Sequence, residues 1–225
     1  MKAMILAAGR GERMGALTDR LPKPLLEVAG RPLIEHQIRR LAAAGFRDLV
    51  VNLAWLGERI EARLGDGSEL GVCIRYSREP EGALETGGGI RRALSLLGEE
   101  PFVVVGADVW SDYPFEKLHG AAAGDGHIVL VDNPAHHPHG DFALAPDGKV
   151  LDAGRDRLTF SGIGSYRPRL FAARSSSRFP LAAVLRDAIE AGTLSGEHHR
   201  GEWVDVGTPD RLRSLDRALR ADGPG

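Results

Sequence analysis

Lys2-Ala3-Met4-Ile5-Leu6-Ala7-Ala8-Gly9-Arg10-Gly11-Glu12-Arg13-Met14 opens the chain with an apolar run of strand length that gives way to glycines. The run is too short for a signal peptide or a membrane span. Glycines directly after a strand let backbone N–H groups converge on an anion with no side chain in the way. Two widespread phosphate loops can be tested against this stretch. The dinucleotide fingerprint needs its third glycine at position 14, where Met14 stands. The P-loop needs Gly-Lys-Ser/Thr after a four-residue gap, and neither Gly9 nor Gly11 supplies it. The stretch is therefore a phosphate loop of another kind, or a plain tight turn.

Outward from that loop, strand-like and helical patterns alternate. Ala3–Ala7, Leu49–Leu53, Val72–Tyr76 and Phe102–Val105 read as strands. Ile34, Ile38, Leu41 and Ala42 keep helical spacing up to Gly45, which stops the helix. Leu56–Leu64 forms a shorter amphipathic stretch, and Ile90, Ala93, Leu94 and Leu97 repeat the helical pattern. This rhythm predicts a doubly wound, mainly parallel, Rossmann-like sheet with helices on both faces. Later, Ile128–Val131 reads as a strand, followed by a polar loop to Asp141. Phe142–Leu144, Val150–Leu151 and Leu158–Tyr166 suggest a small antiparallel addition. Leu181–Ile189 and Leu212–Leu219 read as helices around a strand at Trp203–Val206. Residues 221–225 should fray. With 225 residues, no repeat and no long linker, one domain is expected.

Composition excludes some partners. A net charge of -2 argues against a nucleic-acid binder, and a membrane partner is not expected. One cysteine, Cys73, precludes an internal disulfide and fits a reducing cytoplasm; its apolar neighbours suggest a small buried side chain. Four of the 29 Lys and Arg residues are lysines: Lys2, Lys23, Lys117 and Lys149. Lys23 lies between Pro22 and Pro24, which restrict the backbone on both sides. A lysine is a compact point charge suited to one phosphate oxygen, where arginine is a planar fork. Lys23 and Arg13 thus form a plausible triphosphate clamp, the alternative being a proline-stiffened surface loop. Asp108 follows an apolar strand, at the end where α/β sheets bind ligands. Asp205 sits in a second strand-like run. Each reads as a strand-end cap on its own, whereas the pair could hold one Mg²⁺. His136, His137 and His139 have no cysteine nearby and sit among Pro134, Pro138 and Gly140. That setting disfavours zinc and leaves a solvated loop or contacts to a sugar.

Gly9-x-Gly11-x-Arg13-Met14 followed by Pro22-Lys23-Pro24-Leu25 resembles the signature of the sugar-1-phosphate nucleotidyltransferase family. Glu85-Thr86-Gly87-Gly88-Gly89-Ile90, Gly106-Ala107-Asp108-Val109-Trp110 and Trp203-Val204-Asp205-Val206-Gly207-Thr208 follow in the expected order. Asn133-Pro134, His136-His137, Gly140-Asp141-Phe142 and Phe160-Ser161-Gly162-Ile163 are similar to short members acting on N-acetylmuramate 1-phosphate in bacterial cell-wall recycling. The resemblance implies a single nucleotidyltransferase domain over 1–225, with a nucleotide half at about 1–110 and a sugar-phosphate half at about 111–220. It implies transfer from a nucleoside triphosphate, UTP favoured, to a sugar 1-phosphate. Guanylyl transfer to a mannose- or heptose-type 1-phosphate is the runner-up, and a metal-dependent glycosyltransferase a more remote one. The catalytic set it implies is Lys23, Arg13 and Asp108. Gly9, Gly11, Glu12, Arg13, Lys23 and Gly88 would bind nucleotide, and Asp108 and Asp205 would hold Mg²⁺. Glu85, Asp141 and Gly162 would contact substrate. The chain departs from the family at Ala16, at Ala107, and in lacking a Glu-Lys-Pro segment, so no lysine is carried over to the sugar phosphate. Without the C-terminal extension of longer relatives, a monomer or weak homodimer is expected.

Overall fold

A computed structural model describes residues 1–80, 84–121, 123–172, 174 and 176–221. In chain order its elements are β1 (Lys2–Leu6), β2 (Glu27–Val28), β3 (Arg31–Pro32), α1 (Leu33–Ala43), β4 (Asp48–Leu53), α2 (Gly57–Leu64), β5 (Cys73–Arg78), α3 (Glu85–Leu97), β6 (Phe102–Gly106) and β7 (Val109–Ser111). There follow β8 (Gly126–Val131), β9 (Phe142–Leu144), β10 (Val150–Leu151), β11 (Arg157–Tyr166), α4 (Arg169–Ala172), α5 (Leu181–Glu190), β12 (Leu194–His199), β13 (Trp203–Asp205) and α6 (Pro209–Ala221). Nine strands make one mixed sheet in the order β10-β9-β11-β6-β1-β4-β5, with β8 beside β11 and β12 beside β8. The β6-β1-β4-β5 portion is entirely parallel. β11 runs antiparallel to β6, β8 and β9.

Period-two alternation explains why helices cover both faces. Ala3 and Ile5 of β1, Leu49 and Val51 of β4, and Val103 and Val105 of β6 share a core with α1 and α2. Met4, Val50, Phe102 and Val104, one step out of phase, share the other core with α3 and α5. The helix stop at Gly45 is also as expected. Gly45 has φ +89, and the Phe46 N–H donates to Leu41 C=O at 2.9 Å, closing the last turn of α1. Among the described residues no helix is long and apolar enough to cross a membrane.

Two expectations need correction. Cys73 is exposed rather than buried. It starts the edge strand β5, where alternation turns Ile74 inward and Cys73 outward. The strand at β12 was not anticipated, because Leu194-Ser195-Gly196-Glu197-His198-His199 lacks an apolar pattern. Its backbone pairs in parallel with β8 along its whole length, and its polar side chains find partners there and at Tyr113. Tyr113 Oη donates to Glu197 Oε1 at 2.5 Å, and His127 Nδ1 meets Ser195 Oγ at 2.9 Å. The fraying proposed for the tail falls, beyond Ala221, outside the described residues.

Candidate active site

The carboxyl ends of β1, β4 and β6 open into a cleft of about 830 Å³, where a sheet of this winding binds ligands. Gly9, Gly11, Glu12, Arg13 and Lys23 all line it, as do Glu85, Asp108, Asp141 and Gly162. Asp205 lies in an adjoining pocket of about 390 Å³ that shares Arg13, Asp108, Phe160 and Gly162 with it. Gly88 is outside both linings.

The loop after β1 does not run into an α-helix. Gly11 takes the left-handed conformation at φ +69 and ψ 37, and residues Glu12–Thr18 form a kinked 3-10 helix. A Cβ at Gly11 would sit 3.1 Å from Lys23 Cβ and 3.3 Å from Thr18 Cγ2, so glycine serves both the turn and the approach to the lysine. Met14 is buried with Leu26, Val28, Leu33, Val206 and Leu215. The side chain that breaks the dinucleotide fingerprint therefore anchors the loop to a separate small core. Trp55 Nε1 donates to Thr18 C=O at 3.0 Å, and the Arg10 guanidinium lies 4.6 Å from the Trp55 ring centroid.

Lys23 begins a short 3-10 turn between its prolines. Its ammonium, on a side chain only 9% exposed, is ion-paired with the Asp108 carboxylate, which is 40% exposed. A buried ammonium needs a partner anion, and Asp108 supplies it. Asp108 in turn is tied to the strand carrying Asp205: Val206 N–H donates to Asp108 C=O at 2.8 Å, and Asp205 faces Val109 across the β7–β13 ladder. Two carboxylates 97 positions apart in sequence thereby become near neighbours. Asp205 is held by Arg211 of α6 and lies 3.2 Å from His136 Nε2. Among the described residues no group of three or more His, Cys, Asp and Glu side chains forms a cage for a metal ion.

At the α3 end, Asn52 is buried at the carboxyl end of β4. Its Oδ1 accepts from the Ala7 N–H at 2.8 Å and its Nδ2 donates to Glu79 Oε1 at 2.6 Å. Glu79 Oε2 accepts from the Leu84 N–H at 2.9 Å. This bridge ties the start of the glycine loop to the entry of α3. Glu85 sits at φ +59, 3.3 Å from Arg178 Nε. The three glycines after it serve packing. A Cβ would meet the Phe179 ring at Gly87 and the Ser177 carbonyl at Gly88, and at Gly89 it would lie 2.5 Å from Glu79 Oε1. At the other end, Asp141 Oδ2 accepts from Phe160 N–H at 2.8 Å and Oδ1 lies 3.1 Å from His137 Nε2. Gly162 lines the cleft with φ +79, a conformation other residues resist.

Sequence reasoning missed Asn52, Glu79 and Arg211, and also Arg186, which lines the cleft from α5. A polar Asn52 inside the apolar Leu49–Leu53 run was a readable signal. The arginines were hidden by the abundance of their own kind.

Comparison with known proteins agrees with this geometry. The Nucleotidyl transferase family matches residues 2–149. An N-acetylmuramate alpha-1-phosphate uridylyltransferase of Neisseria meningitidis serogroup B is 52% identical over 95% of this chain and 96% of its own. One of the same name from Caulobacter vibrioides is 36% identical over 96% of each chain. A mannose-1-phosphate guanyltransferase of Emericella nidulans is 35% identical over 93% of this chain and 61% of its own. In fold, the chain is similar to a putative glucose-1-phosphate thymidylyltransferase from Bacillus anthracis solved with a sucrose, at TM-score 0.87 and 20% identity over 100% of this chain and 97% of that one. With its glycine loop, its paired lysine and aspartate, and relatives matching it nearly end to end, the chain belongs to the Nucleotidyl transferase family.

Proposed function

We propose that the cleft transfers a uridylyl group from UTP to N-acetylmuramate 1-phosphate, releasing pyrophosphate and forming a UDP-sugar for cell-wall recycling in the cytoplasm. The observation that carries the reading is the Lys23–Asp108 ion pair at the mouth of the glycine loop, with Asp205 held beside it. The choice of sugar and base draws its support from the relative at 52% identity.

In this reading a sugar-phosphate oxygen attacks the α-phosphorus of the triphosphate in line. The bond to the bridging oxygen of the β-phosphate breaks, and pyrophosphate leaves with the electron pair. Both reactants are anions, so the protein's task is to bring them together and offset their repulsion. Backbone N–H groups around Gly9 and Gly11 face the triphosphate, and Arg13 and Lys23 hold it. Lys23 then exchanges Asp108 for phosphate oxygens and neutralises charge growing on pyrophosphate. The sugar phosphate is already ionised near neutral pH, so no general base is required.

Asp108 and Asp205 fit a hard cation: both are carboxylates, they stand on adjacent paired backbones, and each already balances a positive group. Mg²⁺ held there would supply positive charge to phosphate oxygens beyond the reach of the side chains. Glu85 and Thr86 line the nucleoside end; Asp141 and Gly162 line the sugar end. The protein acts as a monomer or weak homodimer on this reading. The test is pyrophosphate release measured across four nucleoside triphosphates and a panel of sugar 1-phosphates. UTP with N-acetylmuramate 1-phosphate should lead; a lead for GTP with mannose 1-phosphate would replace this reading with guanylyl transfer.

A further inference from the structure

Among the described residues four cationic side chains line the main cleft, and three of them, Arg10, Arg13 and Lys23, belong to the first loop. The fourth, Arg186, stands apart. It projects from α5 with Leu181, Ala182 and Leu185, which form one stripe of that helix and line the same cleft. Arg186 Nε donates to Asp152 Oδ1 at 3.1 Å. Asp152 directly follows β10, and β10 is hydrogen-bonded to β9, whose Phe142 shares a core with Leu181 and Leu185. In the strand order, β9 and β11 separate β10 from β6, roughly 14 Å at the usual spacing. Asp152, which holds the guanidinium, thus lies to the side of the β1 and β6 ends, and on that side Arg186 is the one cationic lining side chain among the described residues.

We propose that Arg186 selects the sugar by binding an anionic substituent on its ring, the carboxylate of the lactyl ether that distinguishes N-acetylmuramate from N-acetylglucosamine. This rests on the sugar assignment above. A guanidinium grips a carboxylate through two parallel hydrogen bonds, a geometry an ammonium cannot match. The apolar wall of Leu181, Leu185 and Phe142 offers the ring and the lactyl methyl a surface and limits screening around the charge. Asp152 serves as a placeholder: the Arg186 and Asp152 side chains are 55% and 47% exposed, so the pair is weak and readily exchanged. The site would thus discriminate by a charge pair formed with one sugar and left unmade with its neutral analogue.

The experiment compares initial rates of wild type, Arg186→Met and Arg186→Lys on two substrates, N-acetylmuramate 1-phosphate and N-acetylglucosamine 1-phosphate. Arg186→Met should raise KM for the carboxylate-bearing sugar roughly 10- to 100-fold, the worth of a charge-assisted pair. Its kinetics on the neutral sugar should stay near wild type, which also reports that the variant folds. Arg186→Lys should recover part of the lost affinity. Equal losses on both sugars, or no loss on either, would overturn the role of Arg186 while leaving the sugar assignment intact if wild type still prefers the carboxylate. A wild-type enzyme indifferent to the carboxylate would overturn both.

Discussion

Gly88→Ala should cost stability and leave the affinity for nucleotide nearly unchanged. The alanine Cβ would overlap the Ser177 carbonyl oxygen and stand 3.0 Å from Leu84 Cβ. Gly88 N–H also donates to Phe179 C=O at 3.1 Å, so the facing segment is tied to the helix it would have to leave. It must retreat by about 1 Å to regain ordinary contact. Overpacking of this kind costs about 1–3 kcal/mol, and an obstacle made of backbone argues for the upper end. Alanine recovers roughly 1 kcal/mol over glycine inside a helix. The balance, a loss of about 2 kcal/mol, lowers the melting temperature of a chain this size by roughly 4–8 °C. Calorimetry on the two proteins measures that shift, and initial rates give KM for the triphosphate. An unchanged melting temperature with a KM raised roughly tenfold would refute the packing account and place Gly88 against the nucleotide.

Lys23→Ala should lower turnover by roughly 10²- to 10³-fold, as expected when a preorganised charge is removed from a transferring group. Lys23→Arg should restore little, because a planar fork does not fit a slot shaped around an ammonium; near-normal turnover of the alanine variant would contradict the assignment. Asn52→Leu orphans the buried Ala7 N–H, at about 1–3 kcal/mol, and takes one of the two hydrogen bonds from Glu79. A urea midpoint equal to wild type would remove the brace from the account. Arg211→Met frees Asp205 from a competing cation and should lower the Mg²⁺ concentration for half-maximal rate by roughly two- to fivefold, the worth of a partly exposed pair; a higher requirement would argue against competition. His127 supplies a pH dependence. Burial holds its imidazole below the ordinary histidine range, with Glu197 opposing. The unfolded chain therefore takes up the proton first, so this stability is complete above about pH 6.5 and is lost as pH falls toward the lower folded-state value. Urea midpoints across that range should decline in wild type and flatten in His127→Gln; equal slopes would assign the decline to other groups.

The left half of the sheet was legible because β1, β4 and β6 are buried on both faces, which forces the apolar runs a reader can see. Helix α1 announced its own end through Gly45. Lys23 was legible for a different reason: a lysine between two prolines in an arginine-rich chain is unusual enough to demand a purpose. What stayed hidden was set by pairing rather than composition. β12 is a strand because β8 offers it an edge, and β7 is one because it pairs with β13, the strand that was readable at Trp203–Val206. The three glycines before Ile90 are ambiguous in another way. Glycine reports that something approaches closely, but not whether it is a ligand or, as at Gly88, the Ser177 carbonyl. Arg186 carried no local signal, since its meaning depends on Asp152, 34 positions away in the chain, while Arg211, only six positions from Asp205, looked like one more arginine on a polar helix.

The β7–β13 ladder has a consequence for how the molecule comes into being. Synthesis delivers the glycine loop, Lys23 and Asp108 within the first half of the chain, yet Asp205 joins them only when Trp203–Asp205 has emerged and zipped onto Val109–Ser111. A nascent chain can therefore have the parallel β6-β1-β4-β5 portion of its sheet in place while the second carboxylate, and the Val206 and Leu215 that pack on Met14 of the glycine loop, are still missing. The pairing that sets Asp205 beside Asp108 thus follows the folding of the parallel strands, so a chain cut before Trp203 should lack both the second carboxylate and the Val206 side of the small core around Met14.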